Sequence, residues 1–378
     1  MYQLALAASS AATYNVESFG ARGDGRTDST KAFLRAWSAA CKSAQPATIY
    51  VPRGRYLMGK TVFEGKCGSR YVTFRIEGTL VAPSDFRAIG NEDNWILFHK
   101  VSGVSIFGGT LDGQGSGLWH CKKSGNSCPE GARSLEFTHS EDIFISGLTS
   151  LDSQKFHIVI DGCNKVKLQG VKVSASGDSL NTDGIHVSSS SRVTIMNSKI
   201  STGDDCISVG PGTSYLWVEN IACGPGHGIS IGSLGKKVDE DGVQHVTVKT
   251  VTFTGTQNGL RIKTWGKPSK CFVNDVLFQH ATMVNVQNPI IIDQNYCPHN
   301  QGCTHQASGV RIHDVTYQDI HGSSATEVAI KFDCSKKYPC GGIKLEDVDL
   351  SYRSEPAQAT CANVGGTTLG VVEPRSCL

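Results

Sequence analysis

The sequence predicts an all-β fold: a single-domain, right-handed parallel β-helix closed at its start by an N-terminal capping helix. Three observations lead there. A strand–turn–strand unit recurs from about residue 73 to about residue 350. A second family of short strands runs between its copies, with no helices and no hairpin signals. And no linker, charge run or proline-rich stretch divides the 378 residues, so one elongated domain fits better than two compact ones.

The recurring unit is an alternating apolar strand, then Gly, Asn or Asp, then a further apolar residue, as in "IFISGLT", "VKLQGVKV", "VTIMNSKI", "LWVENIAC" and "IKLEDVDL". With Gly147, Gly170, Asn197, Asn220 and Thr250 as the turn residues of five consecutive copies, the intervals are 23, 27, 23 and 30. An irregular period in the twenties belongs to stacked coils with loops of varying length. The second family reads "FHIVI", "GIHVS", "CISVG", "GISIG", "GLRIK" and "PIIID". A propeller would need blades of about 40 residues built from antiparallel hairpins, which this text does not supply.

An open coil exposes its core and its unpaired strand edges, so the stack needs a cover. "TDSTKAFLRAWSAACKSA" supplies one: Asp28 or Ser29 caps a helix, and Ala32, Phe33 and Trp37 fall on one face. The preceding Arg22-Gly23-Asp24 is an adhesion-like triplet, but Gly23 and Gly25 suit a tight turn into that helix. Residues 1–12 read as a residual signal or tag segment, with a short apolar run and small residues around Ala11 and Ala12. Residues 13–378 form the catalytic domain.

Fourteen cysteines and no C-x-x-C pair argue for disulfides and a secreted protein rather than zinc. Cys121 and Cys128, Cys297 and Cys303, Cys334 and Cys340, and Cys361 and Cys377 are close neighbours, whereas Cys163 and Cys271 have no obvious local mate. A net charge of +2 gives no general pull toward nucleic acid or membrane, so attraction for an anionic substrate must be local. No segment reaches the roughly 20 apolar residues of a membrane span.

Aligning the second family by first residue places Asp183, Asp205, His227 and Asn258 just before successive strands, with first steps of 22 and 22. Equal positions of parallel coils lie about 4.8 Å apart. Asp183, Asp205 and His227 are therefore expected to form a ladder at one sheet edge, with Asp204 beside it. Alternation turns Ile185, Val187, Ile207 and Val209 inward. It leaves His186, Ser208, Ser230 and Arg261 in one outward file, and Ser188, Gly210, Gly232 and Lys263 in another. Small outward residues read as a groove floor. Carboxylates within a coil spacing cannot all ionise freely, so one is expected to hold a proton while the others activate water, which is the chemistry of glycoside hydrolysis. Arg261 and Lys263 suit the carboxylate of a uronate. Taken singly, "NTDG", "GDDC" and "GHG" are ordinary turns and "RIK" an ordinary strand. Only their common register makes them a site.

At these residues the sequence resembles the polygalacturonases, family 28 of the glycoside hydrolases. "NTDG" at 181–184, "GDDC" at 203–206, "GHG" at 226–228 and "RIK" at 261–263 match the family's four signatures in order, and "IIIDQNYC" with the cysteine-rich C-terminus is similar to plant members. The resemblance implies a right-handed parallel β-helix that hydrolyses the α-1,4 bonds of pectin with inversion, with no metal and no cofactor. It implies Asp204 as general acid, Asp183 with Asp205 as bases holding the water, and His227 supporting the acid. It implies Arg261 and Lys263 on the galacturonate carboxylate, Tyr296 on the substrate, Asn181 orienting its neighbours, and a Cys206–Cys223 disulfide beside the site. It further implies a monomer secreted to the cell wall, a wall inhibitor protein as partner, and endo action, with residues 120–131 as a candidate groove wall. The competing readings are an exo-acting enzyme, a calcium-dependent pectate lyase on the same fold, and a wall-binding protein without activity.

Overall fold

The computed structural model describes residues 12–298 and 306–378. Of the expected leader, residues 1–12, all but the last lie outside these. Ala12, assigned to that segment, already pairs with Ala47 in the strand Ala12–Asn15. The strands stack in two sheets, one of 18 strands and one of 11. Among the described residues every pairing is parallel except Ser351 with Pro356 and Tyr352 with Glu355. This is the expected parallel β-helix.

Each coil turns its corners on single residues in the left-handed backbone region. Gly147, Gly170, Asn197, Asn220 and Thr250, the five turn residues read from the repeat, have φ of 68°, 63°, 52°, 55° and 55°. Glycine and asparagine occupy that region at low cost. A second corner recurs at Lys165, Arg192, Tyr215 and His245, again with positive φ. Between corners the side chains alternate: in the strand Ser214–Cys223, Leu216, Val218, Ile221 and Cys223 are buried while Trp217 and Asn220 face water. One apolar column thus runs the length of the molecule.

The helix Thr30–Cys41 closes the N-terminal end with Ala32, Phe33, Ala36, Trp37 and Ala40 buried. Of the two expected caps it is Asp28 that acts: its Oδ1 accepts the Thr30 N–H at 2.8 Å. Trp37 packs on Phe63, Phe74 and Phe98, making an aromatic plug at the top of the column. Asp24 of the Arg-Gly-Asp triplet accepts the backbone N–H groups of Arg26 and Thr27, so the triplet is a turn. Short helices at Arg87–Gly90 and Ser116–Lys123 interrupt the coils, which the reading of no intervening helices missed.

Disulfides join Cys121–Cys128, Cys206–Cys223, Cys334–Cys340 and Cys361–Cys377 as expected. Cys41–Cys67, 26 residues apart and without a spacing signal, ties the capping helix to the first full coil. Cys297 is disulfide-bonded, and its expected mate Cys303 lies outside the described residues. Cys163 and Cys271 are free and buried, and burial pushes their thiols up to about 11 and about 12, which leaves them inert. No helix among the described residues is long and apolar enough to cross a membrane.

Candidate active site

The site lies on the outer face of the 11-stranded sheet, at the leading edge of four neighbouring strands: Ile185–Ser188, Ile207–Val209, Ile229–Leu234 and Asn258–Trp265. The register is the expected one. His186 pairs with Ser208, Ser208 with Ser230, and Ser230 with Arg261. The inward partners Ile185, Ile207, Ile229 and Leu260 are fully buried. Residues just before these strands are therefore stacked, and Asp183, Asp205 and His227 come to one edge, with Asn258 next. Asn258 Nδ2 donates to the His227 carbonyl at 3.1 Å, locking that fourth step.

Local sequence explains how each carboxyl is aimed. Thr182, wholly buried, bonds Ser179 through its hydroxyl and accepts the Gly203 N–H at 3.2 Å, which clamps the "NTDG" loop to the "GDDC" loop. The Cys206–Cys223 disulfide fixes the far side of the second loop. In "GHG" the two glycines have φ of 147° and 85°; a Cβ on Gly226 would lie 2.7 Å from the Asp204 carbonyl oxygen, and one on Gly228 would lie 2.1 Å from that of Asn258. Glycine alone permits that approach. It brings the His227 N–H to the Asp204 carbonyl at 2.8 Å and His227 Nδ1 to Asp204 Oδ1 at 3.1 Å.

Asp204 and Asp205 are sequence neighbours with opposite surroundings. The Asp204 side chain is 18% exposed and also accepts the Asp205 N–H at 2.8 Å. Asp205 is fully buried. Its Oδ1 accepts from Arg261 Nη2 at 2.7 Å and from the Ser230 hydroxyl at 2.8 Å, while its Oδ2 accepts from Lys263 Nζ at 2.8 Å. Burial alone would raise the proton affinity of Asp205. Lys263, then Arg261, outweigh it and hold the carboxyl at about 2. Asp183 is also buried, but no cation among the described residues bonds it directly, and the charge of Lys263 and the Ser208 hydroxyl offset its burial only in part. Burial first, then the charges of Asp204 and Asp205, push its carboxyl well above the ordinary carboxylate value. The carboxyl with raised proton affinity is thus Asp183, one of the two expected bases, whereas the sequence reading expected the raised carboxyl to be the proton donor.

Arg261 and Lys263 both project outward from one strand, as expected, and in this state both are turned onto Asp205. Tyr296 ends the next strand, Asn288–Tyr296; its ring centre is 5.3 Å from Lys263 Nζ and 5.6 Å from the Trp265 ring. Asn181 is exposed, with φ of 54°, at the mouth of the same loop. Sequence reasoning treated Ser208 and Ser230 only as small floor residues. Ser230 also accepts from Arg261 Nε at 2.8 Å while donating to Asp205, and Ser208 bonds His186 Nδ1 at 2.7 Å. Their place in the outward file was the available signal. Residues 120–131 stand beside this edge: Lys123 pairs with Asp178, in the loop that leads to Asp183.

Asp204, Asp205 and His227 offer ligand atoms within 4.8 Å of one another, a spacing that a metal could use. Both Asp205 oxygens are already held by an ammonium and a guanidinium. A calcium ion, which needs six or more oxygen ligands, would meet two fixed positive charges there. The cluster suits proton transfer beside an anionic ligand.

Residues 41–376 match the family model "Glycosyl hydrolases family 28". The chain belongs to that family. It is 64% identical to a polygalacturonase of Prunus persica over all of its own length and 96% of that protein. It is 43% identical to an exopolygalacturonase of Platanus acerifolia over 97% of this chain and 98% of the relative. Among solved structures it is similar to an endo-xylogalacturonan hydrolase of Aspergillus tubingensis, with a TM-score of 0.84 at 25% identity, covering 95% and 99% of the two chains. Membership makes the chain a glycoside hydrolase, and the fold of its relatives gives the coil the expected right-handed sense.

Proposed function

We propose that the chain, a polygalacturonase, cleaves the α-1,4 bonds of polygalacturonan in pectin with inversion, using Asp204 as proton donor and Asp183 with Asp205 as the carboxylates that hold the water. The observation that carries this reading is the division among three carboxyls at one edge: one accessible, one fixed as an anion, one with high proton affinity.

Asp204 is the carboxyl that a glycosidic oxygen can reach, and His227 Nδ1 lies against it to orient it and steady its proton. Asp205, at about 2, is a weak base. Its part is to stay negative beside an oxocarbenium-like sugar and to anchor Arg261 and Lys263. Asp183, once ionised, is the stronger base and takes the proton of the attacking water. Arg261 has five N–H donors and Lys263 three, so each can hold Asp205 and still meet a galacturonate carboxylate. Tyr296 and Asn181 line the approach to the same patch.

The enzyme is read as secreted to the cell wall, which its disulfides suit, as a monomer, and as a target for a wall inhibitor protein. Endo action is the mode taken forward from the sequence reading, with exo action its alternative, since plant exopolygalacturonases are among the relatives. Reducing-end release from polygalacturonate, with the anomer of the first product followed by NMR, tests the whole. Inverted product, indifference to chelators and early viscosity loss with mixed oligomers support it. Unsaturated products would replace it with a lyase, a retained anomer would overturn inversion, and immediate monomer would overturn endo action.

A further inference from the structure

The leading edge of the 11-stranded sheet continues past Asp183 toward the N-terminal coils, and its next cation has no place in the chemistry above. Ile158 pairs with Ile185 and with Leu135, the Ser134 N–H donates to the Phe156 carbonyl, and Asn94 pairs with Arg133. Asp183, Phe156, Arg133 and Asn94 therefore follow one another along the same leading edge. Arg133 lies two coil steps, about 10 Å, from the level of Asp183. Arg261 lies two steps beyond Asp205 on the other side.

Arg133 is held in an unusual way. Both oxygens of Glu136 accept from its Nη1, at 2.9 and 3.0 Å, rather than from two separate nitrogens. Glu136 is itself fixed by Asn94 Nδ2 at 3.2 Å, and its side chain is 4% exposed. Arg133 is 30% exposed, its Nε is buried without a partner, and its Nη2 makes no hydrogen bond among the described residues. A structural arginine–carboxylate pair normally engages fork to fork. Here the buried carboxylate grips one corner of the guanidinium and leaves Nη2 unengaged among the described residues. Beside it the half-buried Phe156 ring lies 5.2 Å from the ring of His186, which burial and then the Arg133 charge bring down to about 4, so it is neutral over most of the pH range. An aromatic face, a neutral imidazole and an oriented guanidinium form a surface for a charged sugar.

We propose that Arg133 is a second uronate-reading residue, binding the carboxylate of a galacturonate on the opposite side of the cleavage point from Arg261 and Lys263. The proposal rests on the galacturonan-hydrolysing reading and assigns a subsite to it. Glu136 is the positioning partner, and Phe156 carries the sugar face.

Replacing Arg133 alone would strand the buried Glu136 charge, so the test uses Arg133→Met with Glu136→Gln, which removes both charges and keeps volume. KM and kcat are measured on polygalacturonate and on a partly methyl-esterified pectin, which keeps free carboxylates for Arg261 and Lys263. We expect KM on polygalacturonate to rise about tenfold, the scale of one charge-assisted contact. We expect kcat to stay within about twofold and the rise in KM to be clearly smaller on the partly esterified substrate, where fewer sugars present a carboxylate to Arg133. An equal change on both substrates would mean a structural pair and overturn the proposal, as would an unchanged KM on polygalacturonate. A parent enzyme inactive on polygalacturonate would overturn the underlying reading as well, which distinguishes that failure from this one.

Discussion

Two files of polar residues climb this stack, and they are held together by opposite physics. At one corner of the 18-stranded sheet, Asn197 and Asn220 lie one above the other, both exposed, with Asn220 Nδ2 donating to Asn197 Oδ1 at 2.8 Å. Each amide carries a donor and an acceptor, so a neutral ladder satisfies itself at every step. At the leading edge of the 11-stranded sheet, Asp183 and Asp205 are stacked in the same manner but are buried. Like charges cannot satisfy each other. That file persists because Arg261 and Lys263, two coils away, reach back to one member, and because burial and the neighbouring charges raise the proton affinity of the other. Stacking places like on like. With amides the result is support, and with carboxyls it is a set of altered proton affinities, which is what a catalyst needs.

The sharpest break in this comparison is Asp204→Asn, which removes the accessible acid while leaving both files standing. Turnover on polygalacturonate should fall by about 100-fold or more with an unchanged melting temperature. Activity within about tenfold of the parent would mean that Asp204 is not the acid. Next comes Asp205→Asn, which strands Arg261 and Lys263 in a buried setting. Urea unfolding should show a loss of about 3–5 kcal/mol as well as lost activity. Its contrast is Asp183→Asn. Because the folded-state affinity of Asp183 is raised, the wild-type carboxyl is fully compatible with folding below the ordinary value of 3.8 and opposes it increasingly as pH rises above that. The asparagine variant should therefore melt higher than the parent at pH 7, with a gain that shrinks toward pH 4, while losing activity. A variant that melts lower at pH 7 would show that Asp183 is not repelled by its neighbours. The smallest effect is expected at the neutral ladder: Asn220→Gly, which tolerates the φ of 55° at that corner, should cost about 1 kcal/mol or less and leave KM and kcat unchanged.

The pattern of apolar alternation made the coils, the corner residues and the register of the four site strands legible, because side-chain direction in a strand follows from period two and nothing else. The ladder of Asp183, Asp205 and His227 followed from two equal steps of 22 residues. What stayed hidden depended on contacts between segments with no periodic relation. The Cys41–Cys67 bridge, the helix Ser116–Lys123 inserted into a coil, and the hydroxyl of Ser230 between Asp205 and Arg261 are of that kind. Arg133 was invisible for the same reason: its place beside the site is set by two further coils, not by any motif.

The chain by itself determined which residues face inward, which share an edge, and hence that three carboxyls and two cations meet. Those facts follow from local geometry repeated along a polymer. Only the tertiary structure decided how the charge is divided among them. Both cations fold onto Asp205 and neither onto Asp183. Proton affinity depends on burial and on the distance to every neighbouring charge, quantities that exist only once the coils have closed on one another.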